Sequence, residues 1–147
     1  MQLPVHAIIA GLFSAPPEPV FDAFLDKNII GRFMFGPEIR DEEIVRLQNE
    51  PRAGGSFTYT VRRQGKLFDH VGEYTAIDRP HHLAFTWAVK QDPSNNKSLI
   101  VIDISPIIKG CELTLTHEMP RGQEGFVEQS KQAWGKMIDK LTEILDR

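Results

Sequence analysis

The last part of the chain repeats apolar residues every three or four positions: Phe126, Val127, Ala133, Trp134, Met137, Ile138, Leu141, Ile144 and Leu145, with Ser130 in the same stripe. Only one face of a helix satisfies that spacing. From Gly125 to Arg147 such a helix is ~34 Å long at 1.5 Å per residue, and Glu128, Lys131, Lys136, Asp139, Lys140 and Glu143 give it a solvated back. An amphipathic helix of this length has to bury its stripe against a partner of similar extent.

The segment before it supplies that partner. From Glu43 to Met119 six runs with strand character are separated by turn signals, as in an antiparallel meander. Ile44 to Asn49 stops at Pro51-Arg52-Ala53-Gly54-Gly55, and Phe57, Tyr59 and Val61 alternate in the next run, which turns at Gln64-Gly65-Lys66. Leu67 to Ile77 ends at Asp78-Arg79-Pro80, and Leu83, Phe85, Trp87 and Val89 alternate after it. Asp92 to Asn96 reads as a loop. Ile100, Ile102 and Ile104, then Leu113, Leu115, His117 and Met119, complete the set. Each run offers one face to a core.

Ahead of the meander, a strand is predicted from about Leu3 to Phe13, ended by Pro16-Pro17. Pro17 suits a first helical turn, and Val20, Phe21, Phe24 and Leu25 share a helical face. A second short helix around Ile29 to Phe33 closes at Gly36-Pro37. The order is therefore α+β: a strand, two short helices, six antiparallel strands and a long closing helix. With 147 residues and no linker rich in Gly, Ser or Pro, residues 1–147 are expected to form one domain.

Composition excludes several classes. The 17 basic and 20 acidic residues leave a formal charge of −3, with no basic stripe for nucleic acid. Cys111 is the one cysteine, so no internal disulfide forms and the residue reads as a small buried hydrophobe. No apolar run reaches the ~18–20 residues of a membrane span, and Met1 to Phe13 lacks the basic start of a signal peptide. A cytoplasmic location is expected.

Several strings resemble a known group in order and separation. These are Ala15 to Phe24 (APPEPVFDAF), Gly54 to Phe57 (GGSF), Gly72-Glu73-Tyr74, Arg79 to Trp87 (RPHHLAFTW), Leu113 to His117 (LTLTH), and Trp134-Gly135 followed by Met137, Ile138 and Leu141. Together they resemble the helix-grip (START-like, Bet v 1-like, SRPBCC) superfamily. Within it they are most similar to bacterial stand-alone proteins related to the C-terminal domain of the activator of heat shock protein 90 ATPase. Phe33 stands where many of those relatives have tryptophan. The resemblance implies a curved antiparallel sheet wrapped around the C-terminal helix and a cavity between them, and often a homodimer.

The cavity implied in this way would be lined by Phe33, Tyr59, His70, Tyr74, Phe85, Trp87, His117, Trp134, Met137, Ile138 and Leu141. Among these, His117 is in phase with Leu113 and Leu115 and should face the inner side of the sheet. There a neutral imidazole is either satisfied by a hydrogen bond or meets a ligand. The phase of His70 leaves its face open. No three or four of the five histidines are spaced as metal ligands, and neighbours such as His81 and His82 would point to opposite faces of a strand. No cofactor is expected. Gly54-Gly55 has no Lys-Ser/Thr after it and reads as a tight turn, not a phosphate loop. The charged run Glu38 to Arg46 reads as a solvated loop or as the rim of a binding site.

Three readings of function follow. The first is non-enzymatic binding of a small hydrophobic molecule, with Trp87, Trp134 and Met137 as walls and His117 as a polar contact. The second is a chaperone-interacting module, as the resemblance implies. The third is a cyclase-like or hydrolase-like enzyme with His70 or His117 as general base.

Overall fold

The structure, a computed structural model, describes residues 5–92 and 97–146. The expected strand start at Leu3, the loop positions 93–96 and the helix end at Arg147 lie outside the described residues. The elements are β1 (Val5–Phe13), α1 (Pro17–Ala23), α2 (Lys27–Phe33), β2 (Glu43–Asn49), β3 (Ser56–Arg63), β4 (Lys66–Asp78), β5 (His82–Val89), β6 (Ser98–Ile107) and β7 (Gly110–Met119). A 3₁₀ turn (Glu124–Phe126) then leads into α3 (Val127–Leu145).

The seven strands make one antiparallel sheet in the order β1-β7-β6-β5-β4-β3-β2. Strands β2 to β7 pair with their chain neighbours, and β1 joins beside β7, so α1 and α2 carry the chain from one edge of the sheet to the other. Local chemistry sets the joints. Gln64 and Gly65 have φ of 51° and 78°, so both central residues of the β3–β4 turn take the positive φ of a type I′ hairpin, whose twist matches the flanking strands. Asp26 caps α2 by accepting the Asn28 N–H at 2.9 Å. The Arg79 guanidinium donates twice to the Asp22 carboxylate, at 2.7 and 2.9 Å, fastening the β4–β5 turn to α1.

Register shifts between Tyr74 and Ala76 on β4 and between Ile44 and Arg46 on β2 mark bulges, which bend a strand and add twist. The concave face of the curved sheet carries the core: Phe57, Tyr59, Val61, Tyr74, Leu83, Phe85, Ile100, Ile102, Leu113 and Leu115 pack against Val20, Phe21, Phe33, Ile138 and Leu141. Cys111 is fully buried among them, and burial raises its thiol pKa.

The closing helix does not bury its stripe evenly. Its C-terminal half sits tightly on β1, where a Cβ on Gly11 would come within 2.6 Å of Ile138 Cγ2, so the absence of a side chain sets the approach. The Asp146 carboxylate accepts the Ser14 N–H at 3.1 Å and ties down the helix end. The first buried residue of α3 is Trp134. Phe126 is 50% exposed, and Ala133 is also exposed although both share the stripe. The sequence pattern places this half over the sheet as well; instead it overhangs an open space.

Candidate functional site

That space is a cleft of about 640 Å³ between the concave face and the first half of α3. Its floor includes His70 of β4, Trp87 of β5, and His117 and Met119 of β7. The 3₁₀ turn contributes Phe126, the overhanging helix contributes Ser130, Ala133, Trp134 and Met137, and the α2–β2 loop contributes Phe35 and Arg40 at the rim beside Arg63. The aromatic rings form a connected wall. Trp87 lies 5.4 Å from Trp134, 5.5 Å from His70 and 6.1 Å from Phe35, onto which it stacks at 17°.

Two histidines stand at the ends of this wall, each 8% exposed. The Trp134 indole N–H donates to His117 Nδ1 at 3.1 Å. Indole nitrogen is only a donor, so Nδ1 must hold its lone pair and the neutral ring carries its proton on Nε2. That buried Nε2–H has no hydrogen-bond partner among the described residues. His70 has the opposite arrangement, its Nδ1 lying 3.2 Å from the Tyr59 carbonyl oxygen. A carbonyl only accepts, so Nδ1 carries the proton and Nε2 is left as an acceptor. Desolvation lowers both imidazole pKa values to about 4, so both rings are neutral near pH 7. As bases they are weak, and the partner of each is an indole or a backbone carbonyl, not a carboxylate or a nucleophile. Among the described residues no group of three or more His, Cys, Asp or Glu side chains is arranged to hold a metal ion.

The rim is fixed by a buried carboxylate. Glu42 has a fully inaccessible side chain and accepts from Gly36 N–H at 2.8 Å, from Arg40 at 3.2 Å and from Arg63 Nε at 2.9 Å. Arg40 also donates to the Met34 carbonyl at 2.7 Å. These bonds stitch the α2–β2 loop to β3 and hold Phe35 against Trp87 and His70.

Of the residues singled out from sequence, His70, Trp87, His117, Trp134 and Met137 line the cleft together. Phe33, Tyr59, Tyr74, Phe85, Ile138 and Leu141 lie in the core behind it. Phe33 packs edge-on against Phe24 at 5.2 Å, and the Tyr59 and Tyr74 hydroxyls pair at 3.1 Å. Sequence reasoning did not single out Phe35, Arg40 and Arg63 as lining. Arg63 had a signal, since it continues the inward phase of Phe57, Tyr59 and Val61. Arg40 lies in the charged run Glu38 to Arg46 that reads as a solvated loop or a rim, and Phe35 had no signal, because an irregular loop carries no period.

A curved antiparallel sheet gripping a C-terminal helix, with a cleft between them, is the helix-grip fold. Residues 14–146 match the model of the family described as "Activator of Hsp90 ATPase homolog 1-like protein", and the chain belongs to that family. Solved structures agree in fold. Protein CV1439 from Chromobacterium violaceum is 19% identical with a TM-score of 0.83, covering 97% of each chain. Protein NE0264 from Nitrosomonas europaea is 18% identical with a TM-score of 0.81, over 99% of this chain and 96% of that one. CalU16 from Micromonospora echinospora is 23% identical with a TM-score of 0.70, over 95% of this chain and 75% of that one. No curated protein matches the sequence.

Proposed function

We propose that the protein binds a small hydrophobic molecule in the cleft between the sheet and the first half of α3. One observation carries this reading: apolar residues of the helical stripe, Phe126 and Ala133, stay exposed beside the cleft lined by Trp87, Trp134 and Met137. A helix serving only the core would bring its whole stripe down onto the sheet. The cleft volume of about 640 Å³ falls within the roughly 300–1,000 Å³ typical of small-molecule sites, and its aromatic wall is joined by polar and charged side chains such as Arg40, Arg63, Gln123 and Gln129. The test compares native with denaturing mass spectrometry of protein purified from its own host, and follows with thermal shifts against a lipid and metabolite panel. A stoichiometric apolar ligand supports the reading; an empty protein with no thermal gain across the panel refutes it.

The description of the family favours a second reading, contact with a chaperone ATPase. Adding the protein to a chaperone ATPase assay separates the two, since stimulation without any small-molecule ligand would favour the partner.

A further inference from the structure

We propose that the ligand of this cleft is an uncharged compound with an acceptor oxygen, such as a ketone, aldehyde or ester carbonyl, that takes the Nε2–H of His117. The inference rests on the binding reading above and adds the polar chemistry to it. Trp134 fixes the tautomer, because its N–H leaves His117 Nδ1 no role except acceptor. A buried donor without a partner carries a desolvation penalty that an acceptor oxygen removes. His117 borders the cleft, and we place the missing acceptor on that side. Its Nε2 exposes under 1 Å², so lining side chains must shift for the proposed oxygen to reach it. Met119 and Met137 are the adaptable members of that lining, with unbranched thioether chains.

The charges favour a neutral group. Arg40 and Arg63 are the cations of the lining, and the buried Glu42 carboxylate between them and Asp92 at the cleft wall oppose their charge. An anion placed at His117 would lie beside a neutral imidazole and an indole, neither of which carries a charge to offset its desolvation.

Three probes of similar shape test this with the whole protein: 2-acetylnaphthalene, 2-isopropylnaphthalene and 2-naphthoate. Affinity is read from tryptophan fluorescence, and the His117 imidazole from long-range ¹H–¹⁵N NMR. The expected result is that the ketone binds about tenfold more tightly than the hydrocarbon, moves the Nε2–H resonance downfield and leaves Nδ1 unprotonated. The preference should shrink in His117→Leu and return in part in His117→Gln, whose amide restores a donor near Nε2. Equal binding of ketone and hydrocarbon overturns the donor role while leaving the apolar cleft intact. Tighter binding of naphthoate overturns the requirement for a neutral ligand. Failure of all three probes to bind a protein that carries or gains an apolar ligand from the panel overturns this inference alone, and the same failure in an empty protein with no thermal gain removes the cleft reading with it. Because the wild-type comparison and its NMR signature suffice, a variant that fails to fold does not protect the proposal.

Discussion

Acidification should unfold this protein earlier than its carboxylates alone would dictate, because two imidazoles are buried in the neutral state. His70 and His117 titrate in the folded protein at about 4, against an ordinary 6.5 in the unfolded chain. Above pH 6.5 neither state binds the protons, so the stability is fully present. As pH falls below 6.5 the unfolded chain takes up protons that the folded one refuses, and stability drains away until pH passes about 4. At 1.36 kcal/mol per unit, lowering the pH from 8 to 5 costs about 2 kcal/mol for each imidazole and ~4 kcal/mol for the pair. That is a large share of the roughly 5–15 kcal/mol that holds a typical domain together. Protonating His117 also removes the lone pair that accepts from Trp134, so this bond is lost with the charge change. Urea denaturation at pH 8 and pH 5 measures the difference directly. His117→Asn keeps a nearby acceptor for Trp134 but cannot titrate, and should remove about half of the pH dependence. An identical loss in wild type and in this variant would refute the assignment, as would a wild-type loss under about 1 kcal/mol.

Other perturbations separate the parts of the fold. Glu42→Ala leaves Arg40, Arg63 and the Gly36 N–H without their shared carboxylate and should destabilise the protein by about 3 kcal/mol by thermal or urea unfolding, less than a fully dry ion pair because both arginines are partly exposed. Gly11→Ala drives a methyl into Ile138 Cγ2 and should cost roughly 1–3 kcal/mol. Combining it with Ile138→Leu, which lacks that branch, should recover part of the loss in a double-mutant cycle. Phe126→Ala, at a half-exposed site, should change unfolding stability by less than about 0.5 kcal/mol yet weaken binding of naphthalene probes.

The architecture was legible because period carries it. Alternation along β3, β5, β6 and β7 and the stripe on α3 both arise from burial, and burial decides where regular elements pack. The lining of the candidate cleft was legible only where the same phase ran on into it, at Trp87, His117, Trp134 and Met137. A period cannot distinguish core from cavity. Tyr59, Phe85, Ile138 and Leu141 carry the same inward phase and lie in the core, and phase alone does not tell them from Trp87, Trp134 and Met137, which also reach the cleft. Nor does a charged string disclose its depth. Within Glu38 to Arg46, Glu42 is buried because Arg63, distant in sequence, lies across from it on β3. The face of His70, open from its neighbours, was settled by the Tyr59 carbonyl.

The uneven seating of α3 divides labour along a single helix. Substitutions at the buried Ile138 and Leu141 disturb the packing on the sheet and are limited by stability, whereas Phe126, Gln129, Ser130 and Ala133 can change with little effect on folding. If the cleft binds a ligand as proposed, a lineage could retune what it accepts by varying about two turns of helix, independently of the scaffold. Selection for a new ligand and selection for persistence of the fold would fall on different residues of the same element.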